Sequence, residues 1–176
     1  MDTFEAIAKR FSYRGSFTKQ KISRDDLHKI VQAGIDAPTG CNAQSVSFVA
    51  VDDPAIIKAI AEINPERSKP VCLTAQAMIV CIVDKAPVYG EMSFFVEDCA
   101  AATQNILLAI TALGYASVWL DGILRNGIGE KIGEILNVPK GKEVRILLPV
   151  GVPETFGKPN TKKPFDQRAW FNKYGG

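Results

Sequence analysis

Two guanidinium groups and a hydroxyl fall within five residues in Arg10-Phe11-Ser12-Tyr13-Arg14. Such a set suits a phosphate and an anionic ring edge. Further along, Ala37-Pro38-Thr39-Gly40-Cys41-Asn42-Ala43-Gln44 is a turn-forming run that ends in two carboxamides and leads into Ser45-Val46-Ser47-Phe48. A carboxamide both donates and accepts, so Asn42 and Gln44 can read a ring edge of alternating carbonyl and N–H groups. Neither stretch is specific alone; together they read as a flavin site.

The other reactive residue types exclude more than they offer. With one histidine, His28, a histidine-rich metal site is ruled out and His-dependent nucleophilic catalysis is disfavoured. His28 follows Asp25-Asp26-Leu27 on a helix and reads as solvent-exposed. Cys41, Cys72, Cys81 and Cys99 form no CxxC pair, which fits reduced, mostly buried thiols in a reducing compartment. Cys41 differs only in lying within the candidate loop, where no obvious thiolate activator neighbours it.

The elements that must position these residues belong to a chain of 176 residues, read as a single domain (1–176). Its 47% hydrophobic and 23% charged content is that of a soluble globular protein. A net charge of +2 points to no nucleic-acid or acidic-membrane partner. The acidic start Met1-Asp2-Thr3-Phe4-Glu5 lacks the features of a secretory signal. The most apolar stretch, Cys99–Leu113, is interrupted by Thr103, Gln104, Asn105 and Thr111 and is too short to span a bilayer. The expected location is cytoplasmic, with no membrane partner.

Helices and strands alternate. Phe4, Ile7, Ala8 and Phe11 predict a helix over about 2–10 that ends at Arg10. Ser23 caps a second helix, with Leu27, Ile30, Val31 and Ile35 on one face and Pro38 as its stop. Ser45–Val51 reads as a strand with Val46, Phe48 and Ala50 on one side and Val49 and Val51 on the other. Asp53-Pro54 opens a third helix carrying Ile56, Ile57, Ile60 and Ile63, and Glu62–Val71 reads as a loop over a surface or site. Ala77–Val83 has no polar face and predicts a strand covered on both sides.

The longest helix follows, from about Phe94 to Leu113, capped by Ser93 and ended by Gly114. Its apolar residues encircle it, as in a helix central to the fold or shared with a second subunit. Ala116–Leu120 and Val144–Val150 read as strands, with a helix over about Gly127–Leu136 between them. The last segment, 151–176, holds Phe156, Phe165, Trp170, Phe171 and Tyr174, which suit an arm packed on its own subunit or on a partner.

Over nearly its whole length the chain resembles the FMN-dependent nitroreductase family, as a short, minimal member. The landmarks occur in order: Arg10, Ser12 and Arg14 after the first helix; Pro38, Thr39, Asn42 and Gln44 before the first strand; a long central helix; Asp121-Gly122 after a strand; Pro149-Val150-Gly151; and Lys162-Lys163-Pro164 in the arm. Two departures stand out. Most members follow the Gln with Pro-Trp, where this chain has Ser45-Val46, and the helical insertions of larger members are missing. The loop where larger members place another polar flavin contact is here Arg67-Ser68-Lys69-Pro70.

The resemblance implies an α+β fold: a three-layer α/β/α sandwich with a mixed, mainly antiparallel central sheet and a C-terminal arm exchanged across a homodimer. It implies FMN as cofactor, with phosphate contacts from Arg10, Ser12, Lys162 and Lys163, and Arg14 at the N1–O2 edge of the ring. Phe11 and Leu120 belong to the same implied site, and the backbone of Asp121 and Gly122 would face N5 and O4. Pro38, Thr39, Gly40, Asn42 and Gln44 would approach a flavin from the opposite subunit, which makes the site composite. The implied activity is hydride transfer from NADH or NADPH and reduction of a small organic acceptor, such as a nitroaromatic or quinone, in a ping-pong cycle. No protein acid or base is required, and the absence of a GxGxxG run agrees with transient nicotinamide docking. The rival readings are a non-catalytic flavin-binding or electron-relay protein, and an interaction domain without cofactor.

Overall fold

The unbroken apolar run Ala77–Val83 lies at the middle of the molecule, every residue of it buried. In the computed structural model, which describes residues 1–175, it forms most of the second of four strands: β1 (Val46–Val51), β2 (Ala77–Asp84), β3 (Ala116–Ser117) and β4 (Lys142–Gly151). They make one sheet in the order β1-β2-β4-β3, with every ladder antiparallel. The parallel component of the expected mixed sheet is confined to an isolated bridge between Ser12 and Ser117. A register irregularity between Cys81 and Ile82 breaks the β2–β4 ladder where Arg145 is left without a partner.

The helices are α1 (Thr3–Lys9), α2 (Arg24–Ile35), α3 (Pro54–Glu62), α4 (Lys69–Leu73), α5 (Phe95–Ala112) and α6 (Ile128–Ile135). Side chains alternate across a strand, so β2 feeds two cores. Ala77, Ile79, Cys81 and Val83 pack with Leu27, Ile30, Cys99, Ile106 and Ile110 of α2 and α5. Met78, Val80 and Ile82 pack on the other face with Ile57, Ile60, Val71 and Ile132 of α3, α4 and α6. Each fully buried side chain of this size contributes about 1.5–3 kcal/mol, and the result is the three-layer arrangement expected.

Several caps follow their sequence signals. Ser23 Oγ accepts from Asp26 N at 3.1 Å, Asp53 Oδ1 accepts from Ala55 N at 2.7 Å, and Gly114 ends α5 at φ +85°. Other expectations need correction. Ser93 does not cap α5: Phe94 holds that position without a side-chain bond, and Ser93 Oγ is buried with no partner among the described residues. The loop 62–71 closes into α4, with Pro70 in its first turn. The strand expected at 116–120 is regular only at Ala116–Ser117; Leu120 meets Leu147 in a separate bridge.

Gly34, not Ile35, completes the buried face of α2. A Cβ at Gly34 would press on Ile106, so its absence lets α2 and α5 close, and Ile35 turns outward. Phe4 and Ile7 of α1 and Phe156, Phe165, Phe171 and Tyr174 of the C-terminal segment are exposed as well. Among the described residues no helix is long and apolar enough to cross a membrane.

Candidate functional site

The chain leaves α1 at Arg10 in an extended conformation and runs beside β3, where Tyr13 N donates to Ser117 O at 2.9 Å. Extended backbone alternates its side chains. Tyr13 is buried, whereas Ser12 and Arg14 are exposed, so the i, i+2, i+4 spacing of Arg10, Ser12 and Arg14 selects the outer side. Tyr13 anchors the segment: its ring lies 5.1 Å from that of Phe17 and edge-on to Phe11, and its hydroxyl donates to Ser16 O. Phe11 does not reach the same place as Arg14. It packs against Gly157, where a Cβ would collide with its ring, and lines an apolar groove with Tyr115 and Phe156.

Arg14 borders a cavity of about 290 Å³ together with Arg67, Ser68, Val71, Trp119, Leu120, Asp121, Gly122 and Ile123. Four of the expected residues thus meet: Arg14, Leu120, Asp121 and Gly122. Leu120 is fixed by two bonds with Leu147, 3.1 and 2.9 Å, and the Asp121 carboxylate is held by Arg145 Nη1 at 2.7 Å. That ion pair directs the carboxylate toward β4 and leaves the turn to act through its backbone. Neither the Asp121 nor the Gly122 N–H is engaged in a hydrogen bond among the described residues, and nothing lies within 4 Å of where a Gly122 Cβ would stand. Arg14 and Arg67 form no salt bridge among the described residues. The cavity therefore presents uncompensated positive charge and open N–H donors to an anion or a polar ring edge.

The sequence assigns no role to Arg67 and Ser68, although it marks their loop, Arg67-Ser68-Lys69-Pro70, as the place where larger family members put another polar flavin contact. Ser68 is buried with Oγ donating to Pro65 O at 3.0 Å. Asn64, three residues before Arg67, is buried too, and its Oδ1 has no donor among the described residues. Asn64 is not among the residues that border the cavity.

Pro38, Thr39, Gly40, Asn42 and Gln44 occupy a separate place. Gly40–Asn42 form a single 3₁₀ turn, with Cys41, Asn42 and Gln44 at φ +53°, +54° and +50°. For residues other than glycine such angles cost about 1–3 kcal/mol each. Thr39 Oγ1 accepts from Gln44 N at 3.0 Å and Thr39 O from Asn42 N at 3.0 Å, which folds the loop on itself. Gln44 lines a small cleft of about 140 Å³ with Ser45, Asp84, Val88 and Lys142. None of this loop borders the Arg14 cavity. Lys162 and Lys163 are exposed on the arm and border neither space, and Arg10 and Ser12 are absent from the cavity wall.

Burial pushes the Cys72 thiol up to about 12, and the Cys81 thiol is raised well above its ordinary value by the hydrogen bond with Cys99 and by burial, while the same hydrogen bond lowers the thiol of Cys99, which is buried. Among the described residues no cluster of His, Cys, Asp and Glu could hold a metal ion.

The sequence model of the nitroreductase family matches residues 7–152. A protein of Archaeoglobus fulgidus named "Putative NADH dehydrogenase/NAD(P)H nitroreductase" is 32% identical over 138 residues, 78% of each chain. A crystal structure under the same name from Bacteroides thetaiotaomicron superposes with a TM-score of 0.85 at 25% identity, covering 98% of both chains. An FMN-dependent nitroreductase of Clostridium difficile shares the fold with a TM-score of 0.82, at 23% identity, over 97% of this chain and 99% of its own.

Proposed function

The chain belongs to the nitroreductase family, and from that premise we propose that it is an FMN-dependent enzyme that moves reducing equivalents from NADH or NADPH to a small organic acceptor. The observation that carries the reading is the Arg14 cavity. Two guanidinium groups and two backbone N–H groups without partners among the described residues, and a glycine with open space beside it, line the cavity. That donor set fits an anionic, hydrogen-bonding ring system better than an apolar ligand.

Bound FMN would supply the hydride-accepting ring, reduced by the nicotinamide and reoxidised by the acceptor in ping-pong order. The protein's part is to bind and tune. Arg14 and Arg67 would hold the edge on which negative charge grows, a fixed charge that favours the reduced ring over the oxidised one. The Asp121 and Gly122 N–H groups would donate to the opposite edge, and Arg10, Ser12, Lys162 and Lys163 would meet the phosphate. Lys162 and Lys163 can do so only once the arm docks, and the Pro38–Gln44 loop lies away from the cavity. Both facts favour a composite site in a homodimer, with 151–176 as an arm on a single domain.

The purified protein should be yellow, and anaerobic NADH or NADPH should bleach it within seconds to minutes. Colour that persists with both donors would leave a flavin-binding or relay protein. Colourless protein that gains no thermal stability from added FMN would remove the cofactor altogether.

A further inference from the structure

The Pro38–Gln44 loop is held from outside by one carboxylate. Asp98, in the first turn of α5 and 3% exposed, accepts from Gly40 N through Oδ1 at 2.8 Å and from Ser45 Oγ through Oδ2 at 2.6 Å. The two bonds span 58 and 53 residues of sequence and grip the loop at its entry and its exit. Between the grips lie all three left-handed residues Cys41, Asn42 and Gln44. The same turn of α5 also supplies a wall, because the Phe94 ring fills the space a Gly40 side chain would need.

We propose that Asp98 and Ser45 are positioning residues: their hydrogen bonds hold the loop in the strained shape from which Asn42 and Gln44 present their carboxamides to the flavin. This rests on the FMN reading above. A loop with three left-handed residues other than glycine relaxes unless its surroundings over-determine it, and its internal bonds from Asn42 N, Ala43 N and Gln44 N tie it only to itself. The Asp98 carboxylate links that shape to the rigid start of the longest helix. Its carboxylate also lies where the N-terminal end of a helix favours an anion. The hydroxyl at Ser45 is the part of the device that sequence can add or remove without disturbing a core position, since Ser45 is only half-buried.

The test uses the full-length protein as purified, stripped of flavin and titrated with FMN. Ser45→Ala is expected to weaken FMN binding about tenfold and to change the visible circular dichroism of the bound flavin. Ser45→Thr, which keeps the hydroxyl, should restore both readouts. Asp98→Asn, which keeps the shape but loses one acceptor, should match or exceed the Ser45→Ala effect. If the wild type binds FMN while Ser45→Ala and Asp98→Asn bind equally tightly with superimposable dichroism, the positioning role is overturned and the FMN reading stands. A wild type that binds no FMN overturns both.

Discussion

Arg14 and Gly122 border the same cavity and contribute opposite things to it, a charge and an empty space. Arg14 is exposed and forms no salt bridge among the described residues, so removing it costs the fold little. Its effect should fall on the flavin. Arg14→Ala is expected to lower the reduction potential by roughly 30–60 mV, given that 30 mV of a two-electron couple is about 1.4 kcal/mol. Titration against a reference dye measures it, and an unchanged potential would take Arg14 off the ring edge. Gly122→Ala inserts a methyl group that meets nothing in the protein itself. The thermal midpoint should therefore stay put while FMN affinity falls about tenfold; equal affinity would mean that no ring approaches this turn. At this scale the sequence was readable where a short motif meets one backbone rule. Arg10, Ser12 and Arg14 share a side because they are two apart on an extended segment. Arg67 and Ser68 are marked in the sequence only by the position of their loop and given no role, because that loop has no periodicity and its place beside the Asp121 turn depends on the packing of α3 and α4.

Between elements, the link most exposed to solvent conditions is Tyr115 with Asp26. The Tyr115 hydroxyl donates to Asp26 Oδ2 at 2.9 Å, tying the residue just beyond α5 to the first turn of α2, while Lys29 Nζ lies 3.2 Å from Oδ1. The hydrogen bond from Tyr115, then that from Lys29, hold the Asp26 carboxyl below the ordinary carboxylate range against a smaller opposing effect of burial. A depressed carboxyl stabilises the fold fully above its unfolded value, near 3.9, and the stabilisation is lost as pH falls through the folded value. Tyr115→Phe should therefore melt below wild type at pH 7, and the gap should narrow below about pH 4. A gap that stays constant down to about pH 2 would assign the loss to packing instead. Elements whose signals are local were legible: Ser23 and Asp53 cap the helices they precede, and Ala77–Val83 is the doubly covered strand. Those that depend on distant partners were not. The regular strand ends at Ser117 and pairing with β4 resumes only at the Leu120–Leu147 bridge, and Ser93 loses the cap position to Phe94, whose ring is packed on Gly40.

At the scale of the molecule, the two halves of the candidate site do not meet within one chain. The Arg14 cavity and the Pro38–Gln44 loop line different spaces, and the chain also leaves Phe4, Phe156, Phe171 and Tyr174 about 80–90% exposed. Burying side chains of that size is worth about 1.5–3 kcal/mol each, a driving force the isolated chain leaves unused. The homodimer proposed above would account for both facts if its isologous interface brought the loop of each subunit to the cavity of the other. Sedimentation should then give about twice the chain mass of 19.1 kDa. Mixed dimers test the geometry more sharply. Gly122→Ala damages the cavity half and Asn42→Ala the loop half, so each homodimer has two defective sites. If the halves come from different chains, a heterodimer places both lesions in one site and leaves the other intact. Random pairing of equal amounts makes half the dimers mixed, so about a quarter of all sites should regain wild-type FMN affinity. If cavity and loop served the same flavin from the same chain, every site would carry one lesion, and no tight site would appear at any mixing ratio.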